Sequence, residues 1–353
     1  MRTTFAWQST DNRVELERVE IERRDLRADD IAVRVEFCGV CHSDLHAIHG
    51  VTPHMSDDSG LVPGHEFTGT VTAAGAAVTG FAVGDPVAVG TLVDSCGECA
   101  MCEVGQENFC HLGPLGTYGS KDRVDGTITK GAYSREYVLR EKFAHPLPKG
   151  LDPAAAAPLM CAGITMWEPL RAAGIGPGSR VAIAGLGGLG HLGVKLAAAL
   201  GAEVTVLSRT ADKAADAPAL GAAGLLLTTD EGQVRQARGR FDLILDTISA
   251  DHELSPLLRM LALDGTLSVV GNPLLTGPRL IELAAGRKKL TASGTGGTTG
   301  TAEMLAFCAE HGITADVEVL PSSSVTEALN RLQDGKVRYR FVLDMSDLDR
   351  PRE

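Results

Sequence analysis

The stretch from Ser179 to Ser208 constrains the fold of this chain more than any other. Arg180 to Ala184 (RVAIA) is a short apolar run entered from the turn Gly176-Pro177-Gly178, and it predicts a buried strand. Directly after it come Gly185-Leu186-Gly187-Gly188-Leu189-Gly190, a G-x-G-x-x-G pattern, then the helical segment HLGVKLAAALG and a second strand over Glu203 to Leu207. In a chain with 41 glycines such a triplet alone says little. A strand before it, and a helix and strand after it, make it the βαβ unit that binds dinucleotides. There the first glycine allows a tight turn, the second lets the backbone approach a pyrophosphate, and the third permits close packing of helix on strand. The helix N-terminus then faces the phosphates.

The end of the second strand selects the dinucleotide. An NAD site usually carries Asp or Glu there, bonded to the ribose 2'-hydroxyl, and such an acid repels a 2'-phosphate. Here the residues are Ser208-Arg209-Thr210, with Lys213 one turn further and no acid before Asp212. The bland alternative makes Arg209 and Lys213 solvated surface charges, as most arginines and lysines are. Their place just past the strand end favours phosphate binding, and hence NADP(H).

Phe241 to Asp246 (FDLILD) reads as a third strand of this type, Glu253 to Leu263 as a helix and Thr266 to Gly271 as a further strand. Strands and helices that alternate imply a doubly wound parallel sheet covered on both faces. The N-terminal third is different. Short β-rich runs such as Ile31 to Phe37 and Phe67 to Val71 are separated by turns such as Gly84-Asp85-Pro86, which predicts a separate, mostly-β domain. After Leu290 come a Gly/Thr-rich loop, a helix near Glu303 to Glu310, a strand at Val317 to Leu320, a helix opened by the capping box Ser324-x-x-Glu327, and a strand at Tyr339 to Leu343. A length of 353 residues suits two domains. The expected class is α/β: a mostly-β domain over 1–152, completed by the tail 291–353, with a Rossmann dinucleotide domain inserted over 153–290.

Inside the β domain, Cys96, Cys99, Cys102 and Cys110 form a C-x2-C-x2-C-x7-C run. Two-residue gaps let neighbouring thiolates turn inward on one tight loop, as a closed tetrahedral zinc site requires. An iron-sulfur site of the bacterial ferredoxin kind needs a last gap of three followed by proline, whereas here the gap is seven and His111 follows. Unrelated core cysteines would scatter through apolar segments, and these stand among Ser95, Gly97, Glu98, Glu103, Gly105 and Asn108.

The opening MRTTFAWQST lacks the basic start and apolar run of a secretory signal, so a disulfide framework is not expected and the thiols should face a reducing cytosol. No apolar run reaches the roughly 18 residues of a membrane span, and the expectation is a soluble, cytoplasmic protein with no membrane partner. A formal charge of -12 and a pI near 5.3 argue against a nucleic-acid partner, because phosphate binding draws on clustered Lys and Arg. With 44% hydrophobic but only 4% aromatic residues, the interior is expected to be built from Ala, Val and Leu.

Several further motifs arrive in a fixed order: Gly39-Val40-Cys41-His42-Ser43-Asp44-Leu45-His46, then Pro63-Gly64-His65-Glu66, the four-cysteine loop, Pro158-Leu159-Met160-Cys161-Ala162-Gly163-Ile164-Thr165, the glycine fingerprint, and Val337-Arg338-Tyr339-Arg340-Phe341-Val342. Together they resemble the zinc-dependent medium-chain alcohol dehydrogenases over essentially the whole chain. Within these, the chain is most similar to the NADPH-dependent cinnamyl alcohol dehydrogenase and aldehyde reductase group.

The resemblance implies a GroES-like fold for the β domain and two zinc ions per chain. The catalytic one would be held by Cys41, His65 and Cys161, with one position open for water or substrate. Glu66 would be a fourth, exchangeable ligand or a supporting carboxylate, and Asp44 would orient a ligand. The implied reaction is hydride transfer between NADP(H) and a primary alcohol or aldehyde, with zinc as Lewis acid. Ser43 would pass a proton to or from the substrate oxygen, and the relay would reach His46 and solvent through the cofactor ribose; imidazole suits that end because it ordinarily titrates near neutral pH. His42 and Arg338 would contact cofactor phosphates, while Thr165, Thr247, Gly271, Ser293 and Gly294 would line the nicotinamide half. Cys38 and Cys308 match no ligand position and read as packing residues; His49 and His54 read as solvated. Gly294-Thr295-Gly296-Gly297-Thr298-Thr299-Gly300 is richer in glycine than its counterparts, which suggests a roomier or more mobile substrate pocket. An NAD-dependent polyol or secondary-alcohol dehydrogenase is the rival enzyme, and it would prefer an acid at position 209. A non-catalytic relative would be expected to have lost the open metal site. A homo-oligomer, dimer or tetramer, is expected.

Overall fold

In the computed structural model the described residues are 1–51, 60–271 and 277–349. The chain divides into two compact units, Met1–Cys161 with Gly296–Glu353, and Ala162–Thr295. The second unit therefore starts at Ala162 rather than at 153. Residues 153–161 stay with the first because the helix Pro153–Ala156 and the 3-10 turn Ala157–Met160 pack against the strands Asp30–Val40 and Phe67–Ala74. Asp152 caps that helix by accepting the Ala155 N–H at 2.9 Å, and Pro153 takes the first helical position, where no N–H is needed.

The second unit is a parallel sheet of six strands: β1 (Arg180–Ala184), β2 (Glu203–Ser208), β3 (Gly224–Leu227), β4 (Phe241–Asp246), β5 (Leu261–Val269) and β6 (Lys289–Ala292). Their order is β3-β2-β1-β4-β5-β6, the doubly wound dinucleotide-binding arrangement. Strand order reverses between β1 and β4, and in open sheets of this kind ligands bind outside the C-terminal ends of the strands at such a point. Continuous apolar strands such as VAI and LIL in β1 and β4 are buried on both faces, as a parallel sheet demands.

Several elements here differ from the sequence reading. The helix expected to run to Leu263 stops at Met260, because Leu261 already pairs with Phe241. Asp264 then turns the chain through the left-handed region, at φ 63, before the ladder resumes at Thr266. Strands β3 and β6 were not foreseen: β3 is a four-residue edge strand paired with β2, and in β6 Lys-Leu-Thr-Ala has no apolar alternation and joins the sheet through backbone pairing with Thr266 to Val269.

The first unit is mostly β. Its main sheet runs Val317–Pro321, Arg340–Asp344, Asp30–Val40, Phe67–Ala74, Pro86–Val89, Ala144–Pro146, with Glu136–Arg140 also paired to Asp30–Val40. All pairs are antiparallel except the first. Ile31, Val33, Val35, Phe67, Val71, Phe143 and Phe341 fill the core beneath it. Burying each aliphatic or aromatic side chain contributes roughly 1.5–3 kcal/mol, which fixes the register of the strands that carry the site. The capping box at Ser324 and Glu327 does not form: a 3-10 turn, Ser322–Ser324, runs straight into the helix Val325–Gln333, and Ser324 makes no side-chain cap. Among the described residues no helix is long and apolar enough to cross a membrane.

Candidate active site

Three chain segments converge on one point of the first unit. The strand Asp30–Val40 ends at Cys41, which stands in extended conformation at the start of the helix His42–Ile48. His65 lies two residues before the paired strand Phe67–Ala74, and Cys161 follows the turn that packs on both strands. Cys41 Sγ and Cys161 Sγ are 4.0 Å apart, and His65 Nε2 is 3.3 Å from Cys161 Sγ. All three side chains are buried, and their donor atoms lie within 4.8 Å of one another.

Asp44 organises this group. Fully buried, it accepts the backbone N–H groups of Cys41 and Gly64, each at 3.0 Å, and the Tyr133 hydroxyl at 3.1 Å, and it faces His65 Nδ1 at 3.0 Å. That last bond places the ring proton on Nδ1 and leaves Nε2 as a ligand atom. Burial works against a charged His65, but the charge of Asp44 and the bond to it outweigh burial and raise the imidazole well above its ordinary range. The hydrogen bond shared with Cys161 holds the Cys41 thiol well below its ordinary value, and the same contact together with burial pushes Cys161 well above it. The pair thus shares one proton, which a cation bound between the two sulfurs would displace. Two sulfurs on one tetrahedral zinc, at about 2.3 Å each, stand about 3.8 Å apart, so the donor set fits zinc.

Glu66, the next residue, is engaged elsewhere. Its Oε1 forms a buried ion pair with the Arg340 guanidinium, while Oε2 has no hydrogen-bond partner among the described residues. Burial pushes the Glu66 carboxyl up to about 8 against the pull of Arg340. Glu66 does not share the clustered donor atoms of Cys41, His65 and Cys161. Arg340 escaped the sequence reading, which chose Arg338. The signal was there: an arginine inside the apolar run Arg340–Asp344 must find a buried carboxylate.

The four-cysteine loop closes on itself. Cys96 and Cys102 sulfurs are 3.8 Å apart, and those of Cys99 and Cys102 3.5 Å apart. Backbone N–H groups point at the sulfurs, from Cys96 to Cys110 and from His111 to Cys99, both at 3.4 Å. The His111 N–H, with that of Cys102, brings the Cys99 thiol down to about 6. Burial pushes the Cys102 thiol the other way, up to about 11, and a metal held by the four sulfurs would keep it deprotonated. Cys99→Ser is expected to lower the metal content by one zinc and the melting temperature by roughly 10 °C, since metal binding contributes folding free energy outright. Metal analysis together with a thermal melt checks this; unchanged metal content would contradict it.

In the second unit the glycine turn behaves as its pattern requires. Gly185 has φ 91, and a Cβ there would meet Thr247 Oγ1 at 2.8 Å; one on Gly190 would strike the Gly185 carbonyl. Around Gly187 the space is open. The helix Gly190–Ala199 starts at this turn, which also contains Leu186, Gly188 and Leu189. Thr247, just past β4, donates to the Ala184 carbonyl at 2.8 Å and so ties the β1 and β4 ends together. Gly271 and Ile248 are in backbone contact at the same end of the sheet. Thr165 Oγ1 donates to Gly294 O at 2.6 Å, and Ser293 N to Val269 O at 3.1 Å. Beyond β2, Arg209 is exposed, the Ser208 hydroxyl fixes the turn by accepting from Thr210 N, and Lys213 reaches back to the Leu186 carbonyl at 2.5 Å. Lys213 thus lies against the glycine turn itself.

Ser43 and His46 sit three residues apart on the helix His42–Ile48, which places them on one side of it. The Ser43 hydroxyl is 3.7 Å from Cys41 Sγ and the residue is exposed; His46 is half-buried. Tyr118, which the sequence did not single out, stands edge-on to the His65 ring and donates to the Ser43 carbonyl at 3.3 Å. His42, Arg338 and His49 are exposed, and His54 lies outside the described residues. Cys38 and Cys308 are buried away from both clusters; burial pushes Cys308 up to about 12.

Two family profiles match the chain: "Alcohol dehydrogenase GroES-like domain" over residues 27–149 and "Zinc-binding dehydrogenase" over 188–310. A probable formaldehyde dehydrogenase of Bacillus subtilis is 45% identical over 342 residues, covering 95% of this chain and 96% of its own. The chain belongs to the zinc-binding dehydrogenases with a GroES-like domain. Within this family, an NADP-dependent alcohol dehydrogenase C of Mycobacterium bovis is 44% identical over 351 residues, or 99% of this chain and 100% of that one. Among solved structures, a cinnamyl alcohol dehydrogenase of Sorghum bicolor superposes with a TM-score of 0.93 at 39% identity, covering 97% of this chain and 98% of that one.

Proposed function

We propose that this family member is an NADP(H)-dependent zinc alcohol dehydrogenase that interconverts primary alcohols and aldehydes, with aromatic aldehydes such as cinnamaldehyde among its substrates. The observation that carries the reading is the buried Cys41, His65 and Cys161 group, which would hold zinc with three protein donors, fewer than the four of a closed structural site. When bound, zinc supplies a Lewis acid at that position and the nicotinamide a hydride. Cys96, Cys99, Cys102 and Cys110 would hold the second, structural zinc.

The chain's own residues do the rest. Asp44 keeps His65 in the ligating tautomer. Gly185 to Gly190 present backbone N–H groups and a helix N-terminus to the pyrophosphate, and Arg209 and Lys213 receive the 2'-phosphate, with Ser208 shaping the turn between them. Thr165, Thr247, Gly271, Ser293 and Gly294 line the nicotinamide half, His42 and Arg338 the phosphates, and the Gly294–Gly300 segment the substrate end. Glu66, tied to Arg340, keeps one carboxylate oxygen unengaged and can serve as the exchangeable ligand. The relatives named for NADP-dependent and cinnamyl alcohol oxidation support both cofactor and substrate class. The protein would work in the cytoplasm as a homo-oligomer, dimer or tetramer, without nucleic acid or membrane.

Ser43, beside the Cys41 sulfur, can pass a proton to or from the substrate oxygen, and His46, on the same side of the helix, can exchange it with solvent. Ser43→Ala is expected to lower turnover by about 10²–10³-fold and His46→Gln by about 10-fold, since water replaces an imidazole at the solvent end more easily than a hydroxyl at the substrate. Steady-state rates of both variants check this; equal losses would assign His46 a structural part only.

A further inference from the structure

We propose that Glu107 is a positioning residue for substrate selection: it ties the four-cysteine loop to the first turn of the helix Thr298–His311 and so sets the course of the Gly294–Gly300 segment. The proposal rests on the reading, above, that this segment lines the substrate end.

Glu107 opens a 3-10 turn, Glu107–Phe109, between Cys102 and Cys110, and it is fully buried. Its Oε2 accepts the Thr298 backbone N–H at 2.9 Å, and its Oε1 accepts the Thr298 hydroxyl at 3.0 Å and faces Lys142 Nζ at 2.9 Å. Burial alone would raise this carboxyl; Lys142 and the Thr298 donors hold it below its ordinary range. The helix needs such a partner. Its N-cap is Gly297, which has no side chain to offer, so the first N–H groups would stay unpaired. A carboxylate from another part of the chain satisfies one of them and places negative charge at the positive end of the helix.

The two segments also touch backbone to backbone. A Cβ on Gly297 would strike the Gly105 carbonyl, and a Cβ on Gly105 would strike Thr299 Oγ1. No side chain could be interposed without driving them apart. The position of Glu107 is in turn set by the cysteine loop, through Gln106 N to Met101 O at 2.8 Å and Cys110 N to Glu107 O at 3.0 Å. The glycine-rich segment that looked mobile in the sequence is therefore helical from Thr298 onward and anchored there. The four-cysteine loop thereby fixes where this helix begins.

Hydrogen exchange by mass spectrometry on the zinc-loaded protein, run beside kinetics on acetaldehyde and cinnamaldehyde with NADPH, tests this in Glu107→Ala, Glu107→Gln and Thr298→Val. Glu107→Ala should keep two zinc ions, speed exchange in residues 298–303 at least 10-fold, and change the ratio of kcat/KM for the two aldehydes at least 5-fold, with KM for NADPH unchanged. Glu107→Gln still offers an acceptor to Thr298 and should restore most of the protection. Thr298→Val, which keeps the backbone bond and loses the hydroxyl, should fall between. Unchanged exchange in Glu107→Ala would overturn the proposal, as would faster exchange with an unaltered aldehyde ratio. The exchange arm needs no turnover, so a wrong reaction assignment, seen as no aldehyde reduction by the unaltered protein, is told apart from a wrong tether.

Discussion

Cys161→Ser is expected to yield a folded protein that holds one zinc instead of two and reduces aldehydes at least about 10³-fold more slowly, the loss of roughly 4 kcal/mol of charge stabilisation. Cys161 is buried against Cys41 and His65 and hydrogen-bonds to both, so its sulfur is a corner of the donor set rather than a neighbour of it. A serine hydroxyl in its place stays protonated at neutral pH and cannot match a thiolate as a ligand. The melting temperature should change far less than in Cys99→Ser, because Cys161 follows a turn packed on the strands Asp30–Val40 and Phe67–Ala74, whose core holds this part of the chain without the metal. Metal analysis, a thermal melt and a rate measurement on one preparation check all three parts. Full activity with one zinc would contradict the site; two zinc ions with no activity would move Cys161 out of the ligand set.

Arg209→Asp should raise KM for NADPH by roughly 100-fold while changing that for NADH by less than about 3-fold. The proposed guanidinium contact to the 2'-phosphate would be replaced by a like charge, and each 1.4 kcal/mol lost is a factor of ten. Arg209 is exposed and Lys213 is anchored on the Leu186 carbonyl, so the substitution removes a charge at the ligand without disturbing the glycine turn. A ratio of the two constants that stays the same would show that the 2'-phosphate is held elsewhere.

The parts of this account that were legible in the sequence are those whose chemistry is local. The four cysteines sit within one loop, and Gly185 to Gly190 within one turn, so spacing alone states which atoms can meet. The parallel, doubly wound sheet followed from the same logic, because a βαβ unit leaves few topologies open; its strands β3 and β6 were not read from the sequence. Partners supplied by distant segments were not legible. Glu107 and Thr298 lie 191 residues apart, and Glu66 and Arg340 lie 274 apart; nothing in either stretch names the other. Asp44 was read as orienting one ligand, whereas it gathers donors from Cys41, Gly64, His65 and Tyr133, each of which offsets the cost of burying its charge. Element ends moved where pairing overrode pattern: Leu261 left its helix to join β5, and Ser324 entered a 3-10 turn instead of capping.

The central claim is that the open cysteine-histidine site and the arginine past β2 serve one reaction, aldehyde reduction by NADPH. Its most direct test is the initial rate at which the purified protein oxidises NADPH, and separately NADH at the same concentration, on addition of cinnamaldehyde. The account predicts that NADPH is consumed one for one with the aldehyde and that NADH supports less than about a tenth of that rate. No oxidation of either cofactor, or a faster reaction with NADH, would contradict it.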